Sequence, residues 1–518
     1  MDLSALEIAR RADRGRPSRA VRLTLHAAMV ATSLIPALFG YWLFMTDIPN
    51  AVARIAINLR LIADPASSQF YTFRPVPVPN MAFDTWGLVL GPWVGPETAA
   101  TLLMAVAVIL LYAAVQWLRL GMVGRTSLLM GAVSLFFIQS GVFRWGLINY
   151  EIGSALSLFA IGLANRHFAD PRALLSPGAL ASRSALCLAS VLCSVFPSAL
   201  YTAYVAGRLP GRLRGQSRGE AVRQVVDAGL PLVLPALFLL CANAKLPEGP
   251  DDTVWTLSGK ISGLVALFYV RAPALELALA VAFVASFVLL GVYCRFTIAP
   301  LQRLPILAMA AMIMVLPSRL VGVDAVDYRL VQMLALLLCG MVEVRRRDYR
   351  EWGGSIRLVV AVLIAMSLVR PFVAIRSLEP VAALKRNIDD VFAAVPDGAR
   401  LAVVTDLPDF RYVGHRIWHL PLLSMAASGK DVRVPVFLNF FTHRREKLGA
   451  EEPWLDLDSP ELGPALCNAS HVLAIGSPAV AERVGTPVLR RNGLVSLMVG
   501  PACPSVRGDL RGTIHARG

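Results

Sequence analysis

The sequence predicts an all-α polytopic membrane protein with a small α/β domain at its C-terminal end. Three observations lead there. Of 518 residues, 56% are hydrophobic and 16% are charged, whereas a soluble globular chain is roughly 45–50% apolar and about 25% charged. Apolar runs near the length of a bilayer crossing recur between residues 25 and 375. Beyond Arg376 those runs shorten and charged residues return.

The spans come first. A hydrocarbon core ~30 Å thick takes about 20 apolar residues in a helix. Residues 25–45, 99–118, 126–143, 147–163, 185–206, 228–244, 274–294, 304–316, 330–344 and 358–375 meet or approach that length. Residues 86–94 and 261–270 are shorter candidates, so about 9–11 transmembrane helices are expected. Pro197, Pro231 and Pro235 interrupt apolar runs. Broken backbone at membrane depth must be buried in protein or line a cavity.

Charge sets the orientation. Arg10, Arg11, Arg14, Arg16, Arg19 and Arg22 precede the first span. Arg208, Arg212, Arg214, Arg218 and Arg223 form a second group, and Arg345, Arg346, Arg347 and Arg350 a third. Each flanks an apolar segment, so the positive-inside rule puts all three in the cytoplasm. The net charge of +15 is therefore read as topology and not as nucleic-acid binding. The expected layout is a cytoplasmic segment 1–23, a membrane domain 24–375 with an external loop 46–85, and an extracytoplasmic α/β domain 376–518. The expected location is a bacterial inner membrane. Counting forward, residues 185–206 would deliver the second arginine group to the wrong side. A re-entrant hairpin around Pro197 restores consistency. The first span reads as a retained anchor, because it is long and no small-x-small cleavage site ends it before Asp47.

In the C-terminal domain, 401–405, 432–438 and 472–475 read as short buried strands. Residues 391–394 end a preceding helix, and Pro396-Asp397-Gly398 forms a turn. Gly476-Ser477-Pro478 is better read as a turn than as a binding loop. Cys187, Cys193, Cys241, Cys294 and Cys339 lie in or beside apolar segments and act as small hydrophobes. Cys467 and Cys503 are the pair left in this domain, a candidate disulfide in an oxidising space. His415 and His419 are four apart, but no HExxH motif accompanies them, so no metal site is assigned. No cofactor is implied with certainty; a divalent metal stays open.

Three segments, all expected on the outer face, mix acids with arginines. The first holds Asp47-Ile48-Pro49-Asn50, Arg54, Arg60, Arg74, the run Pro75-Val76-Pro77-Val78-Pro79-Asn80, and Asp84. Within it Val52, Ile55, Leu59 and Ile62 repeat at helical spacing, which suits an amphipathic helix at the membrane surface. A loop that merely caps the bundle is the plainer alternative. The second segment is Arg144–Glu151, with Asn149 and Glu151 entering a span; Arg144 is an obvious partner for Glu151. The third holds Arg319, Asp324, Asp327 and Arg329. Arg319 and Arg329 suit bidentate phosphate contacts, although Asp327 and Arg329 could form a local ion pair. A carboxylate there could serve as general base on a hydroxyl, and arginines could stabilise a departing phosphate. That constellation fits a polyprenyl-phosphate-dependent glycosyltransferase. Transporters also hold paired charges near a membrane cavity.

These motifs resemble those of the GT-C superfamily of integral membrane glycosyltransferases, and of an uncharacterised bacterial multi-pass family related to it. The matching residues are Asp47-Ile48-Pro49-Asn50 with Ala53-Arg54, and Pro77-Val78-Pro79-Asn80 with Asp84. Gly146-Leu147-Ile148-Asn149-Tyr150 with Gly153, and Asp327-Tyr328-Arg329, complete the set. The resemblance implies a GT-C-like fold and a polyprenyl-phospho-sugar donor. It implies Asp47 as the catalytic base, with Asp84 as second choice. Arg54, Arg74, Asn80, Arg144, Asn149, Glu151, Arg319, Asp327 and Arg329 are the implied substrate and phosphate contacts. Ala51 departs from the pattern, standing where the family motif has His. The implied partners are the bilayer, the lipid-linked donor and an envelope glycan or lipid acceptor. A subunit of an envelope assembly system and a transporter or flippase are the alternatives. Transporters usually carry repeated halves, and neither the Asp-x-Pro-Asn nor the Asn-Tyr pattern recurs in the second half.

Overall fold

The structure is a computed structural model. It describes residues 18–35, 39–40, 43, 45–73, 79–169, 175–243, 253–268, 274–320, 326–346, 353–376, 379–406, 419–434, 442–444, 455–456 and 466–501. The chain divides into two compact units. One is Met1–Met45, Val76–Leu90 and Glu97–Leu378; the other is Thr46–Pro75, Gly91–Pro96 and Glu379–Gly518.

The first unit is a helical bundle. Four of its helices, Pro96–Met122, Arg218–Ala242, Ala274–Tyr293 and Gly354–Val373, are long and apolar enough to cross a membrane. The longest has 27 residues, which at 1.5 Å per residue spans ~40 Å. Leu128–Ile138, Pro177–Cys193, Leu257–Phe268 and Pro300–Val315 are apolar but shorter. An 11-residue helix such as Leu128–Ile138 rises only ~16 Å, about half the hydrocarbon thickness. Its end must therefore find partners inside the protein. Pro177 and Pro300 stand at helix starts, where a missing N–H costs nothing. The break expected at Pro197 falls instead at Ser194. Helix Pro177–Cys193 stops there, Ser194 is extended, and Val195–Leu213 begins at once with Pro197 in its first turn. Proline in a first turn is harmless to the ladder, so the extended serine makes the break. Close packing relies on small residues. A Cβ on Gly207 would lie 2.7 Å from Pro305 Cα, and one on Gly340 would collide with Leu118.

The second unit is α/β. Its five-stranded sheet has the order Leu455–Asp456, Leu401–Thr405, His471–Ile475, Val495–Val499, Val488–Asn492. The first three strands are parallel and the last two antiparallel. The strands expected at 401–405 and 472–475 are both present. Of the one expected at 432–438, Arg433 makes an isolated parallel bridge to Arg400, and 435–440 lie outside the described residues. The terminal hairpin was not anticipated, although Asn492-Gly493 between β-formers is a turn signal. Helix Glu379–Phe392 buries Val381, Leu384, Ile388 and Val391, a spacing that makes one apolar stripe. Val404, Val472, Ala474, Val480 and Met498 share a core.

Thr46–Pro75 builds into this same unit. Helix Ile48–Ala63 packs on Leu420–Ser428, and strand Tyr71–Phe73 pairs antiparallel with Thr442–Arg444. Asp431 accepts hydrogen bonds from Ser68 Oγ at 2.6 Å and Gln69 N at 2.8 Å, and Arg60 Nη1 donates to Gly429 O at 2.9 Å. The helix expected over 51–62 is present but is not one-sided. Eight successive residues, from Ile48 to Ile55, are buried, whereas a helix lying flat on a membrane keeps a polar stripe in water.

Candidate functional site

In the helical unit, helix Leu128–Ile138 ends among polar side chains. The last carbonyls of any helix lack intrahelical donors. Here Gln332 Nε2 approaches Phe137 O at 3.3 Å and Ile138 O at 3.4 Å, and donates to Glu151 Oε1 at 2.8 Å. Arg370 Nη1 donates to Phe136 O at 2.6 Å and to Leu267 O at 2.9 Å. Leu267 lies in the last turn of Leu257–Phe268. One guanidinium therefore closes two helix C-termini, whose dipoles favour a cation. The Arg370 guanidinium also lies 3.9 Å from the Phe136 ring centroid, a cation–π geometry.

Around this joint sit two ion pairs. Arg144, in the short helix Gly141–Arg144, meets Glu276 at 2.5 Å, both nearly sealed from solvent. Lys260 pairs with Asp327 and also donates to Leu316 O. Both partners differ from the sequence expectation. Arg144 does not pair with Glu151, because Glu151 enters its helix facing Gln332. Asp327 does not pair with Arg329, because residues two apart on helix Val326–Met341 face different sides. Arg329 turns its guanidinium toward the Phe196 ring, 5.1 Å away, and its backbone O accepts from Tyr150 Oη. Arg319 forms a backbone bridge to Val254. Glu151 Oε2, Glu276 Oε2 and Asp327 Oδ2 are buried without a hydrogen-bond donor among the described residues. Each is an open acceptor in a dry setting.

Asn149 holds a different element. Its Oδ1 accepts from Phe83 N at 2.7 Å and its Nδ2 donates to Asn80 O at 2.8 Å. Asn80 sits at φ +72°, a left-handed conformation that Asn tolerates better than most residues. Asp84, fully buried, lies in the first turn of helix Ala82–Val94. Asn149 thus fixes the segment from which Asp84 projects.

In the α/β unit, Asp47 stands half-buried at the N-cap of Ile48–Ala63 without making a side-chain capping bond. Ala51 and Arg54 are buried on that helix. Arg74 lies outside the described residues, as do Asp324, His415 and Cys503. Cys467 is disulfide-bonded. Asp406, just past strand Leu401–Thr405, accepts from Ser477 N at 2.9 Å and from Ser477 Oγ. Gly476 has φ +145°, and any Cβ there would strike Asp406 Oδ1. The donors of Gly476-Ser477-Pro478 are thereby used within the fold, as in a turn. No group of three or more His, Cys, Asp or Glu able to hold a metal ion occurs among the described residues.

Lys260, Glu276, Gln332 and Arg370 were missed in the sequence. The available signal was simple: ionisable residues inside apolar helices are costly and so mark either partners or function.

No family model matches the chain, and no curated protein matches it. Among solved structures it is similar to ArnT from Cupriavidus metallidurans bound to undecaprenyl phosphate. The TM-score is 0.52 with 12% identity, over 94% of this chain and 99% of that one. At that identity the likeness concerns the fold. The chain has a GT-C-like polytopic membrane fold with a small C-terminal α/β region.

Proposed function

We propose that this protein is a membrane glycosyltransferase. It moves a sugar from a polyprenyl-phosphate-linked donor to an envelope glycan or lipid acceptor on the outer face. The observation that carries the reading is a fold shared along nearly the whole of both chains with a protein solved bound to undecaprenyl phosphate. Fold alone does not fix a reaction. The motif residues and the buried polar seam supply the remaining support.

In this reading Asp47 is the general base, and Asp84 is the second choice. The carboxylate takes the proton of the acceptor hydroxyl. The acceptor oxygen forms its bond to the anomeric carbon while the bond from that carbon to the phosphate oxygen breaks. The electron pair leaves with the polyprenyl phosphate. Arg54, Arg74, Arg319 and Arg329 are the candidate cations for that charge, guanidinium being suited to bidentate phosphate contacts. Ala51 supplies no side-chain base or metal ligand, so the chemistry rests on carboxylates and arginines.

Arg370 weighs against transport. In transporters, half-helix C-termini commonly coordinate the moving cation. Here two such ends, Leu128–Ile138 and Leu257–Phe268, close on a guanidinium that is covalently part of the chain.

The test is Asp47→Asn in the full chain, reconstituted with a radiolabelled polyprenyl-phospho-sugar. Transfer is expected to be abolished while the elution profile and Tm are kept. Full transfer would remove Asp47 from the base role. Arg329→Ala is expected to raise the donor KM more than it lowers kcat; an unchanged KM would argue against a phosphate contact.

A further inference from the structure

Helix Ala274–Tyr293 runs directly into strand Cys294–Thr297, which pairs antiparallel with Glu343–Arg346. In this register Arg295 lies directly opposite Arg345, and Phe296 opposite Val344. Side chains alternate across a strand, so the two pairs occupy opposite faces. Phe296 stacks on Phe287 of the preceding helix, with centroids 5.2 Å apart. That face is anchored. The other carries Arg295, Arg345, Thr297 and Glu343.

Like charges directly opposed across a strand pair are destabilising unless something compensates them. The compensation within the fold is one carboxylate. Glu343 Oε2 accepts from Arg345 Nε at 2.9 Å, and Oε1 accepts from Arg125 Nη2 at 2.9 Å. The hydrogen bond from Arg345, then the charges of Arg345 and Arg125, hold the Glu343 carboxyl below its usual range. Each of its oxygens accepts from a different arginine. Three guanidiniums face one carboxylate, and Arg295 is exposed with no acceptor among the described residues. The side chains of Arg125 and Arg345 are 53% and 66% exposed.

The apolar surface beside this face says which anion fits. Val288, Leu289 and Val292, in the last turns of Ala274–Tyr293, are exposed. An apolar helix end surmounted by three arginines that share one carboxylate has the layout of an acyl chain topped by a phosphate. Arginine binds phosphate oxygens through its fork of donors, and basic residues flanking a span attract anionic lipid.

We propose that the Arg125–Arg295–Arg345 face is a binding site for the headgroup phosphate of an anionic phospholipid in the adjoining leaflet. It is independent of the transferase reading.

The full chain would be placed in nanodiscs of phosphatidylcholine alone and of phosphatidylcholine with phosphatidylglycerol. The wild-type Tm is expected to rise with phosphatidylglycerol, and the rise to shrink as salt screens it. The double variant R295Q/R345Q is expected to lose at least half of that rise and to retain less phosphatidylglycerol in native mass spectra. Arg295→Gln alone removes no protein hydrogen bond and is expected to lose part of the rise at an unchanged Tm in phosphatidylcholine. An equal rise in wild type and both variants overturns the site, as does no rise in the wild type. If inorganic phosphate reproduces the rise in phosphatidylcholine discs, the ligand is free phosphate and the lipid assignment is overturned.

Discussion

One helix, Ala274–Tyr293, meets charge in opposite ways at its two ends. Glu276 in its first turn is sealed against Arg144, with Arg370 close enough to feel both charges. Arg295, just past its last turn, stands in the open opposite Arg345. About 20 residues of helix separate them, or roughly 30 Å. The same guanidinium chemistry serves as a fixed joint where water is absent and as an adjustable contact where it is present. Removing one member of a dry pair strands a charge in low dielectric, whereas water screens the loss of a wet one.

The contrast can be broken most directly at Arg183 and Asp227. Arg183 Nη1 and Nη2 bond Asp227 Oδ2 and Oδ1 at 2.9 and 2.6 Å, with both side chains fully buried. Arg183→Ala should cost ~3–5 kcal/mol of stability, because Asp227 is left buried and unpaired. Reversible unfolding in mixed detergent would measure it, and a cost below about 1 kcal/mol would erase the distinction. Next comes Arg370→Leu, which leaves both Phe136 O and Leu267 O without this donor, at ~1–3 kcal/mol for each orphaned carbonyl. Hydrogen exchange should then rise first at the ends of Leu128–Ile138 and Leu257–Phe268; uniform protection would show that the joint is dispensable. Asn149→Ala should cost ~1–2 kcal/mol through its two buried bonds, and should speed proteolysis near Asn80. The smallest effect belongs to Arg125→Gln. Its pair with Glu343 is wet, so the change should stay within about 1 kcal/mol, and a larger loss of Tm would show that this end is also a rigid joint.

The membrane character was legible because it rests on composition and run length, which survive any arrangement of the helices. Helix Ile48–Ala63 was legible from Val52, Ile55 and Leu59, but its burial was not, since its cover includes Leu420–Ser428, far along the chain. Asn80 and Asn149 were both picked out as motif residues, and the structure bonds one to the other. The pairing of Arg144 with Glu276 was out of reach. Local spacing favoured Glu151, and only the packing of distant helices brings Glu276 to the arginine. Ser194 as a helix break was hidden for a related reason. Nothing local demands an extended serine there, and Pro197, three residues on, is the stronger local signal for a break.

The second unit is stitched from pieces at both ends of the sequence, with Tyr71–Phe73 paired to Thr442–Arg444. During synthesis at about 5–20 residues per second, Thr46–Pro75 emerges long before its partners. For that interval the segment carrying Asp47 has neither its strand partner nor the helix it packs against. Maturation of this part of the protein therefore waits until residues 420–444 have been made, and a chain cut after Arg376 would keep its spans while leaving that segment permanently unassembled.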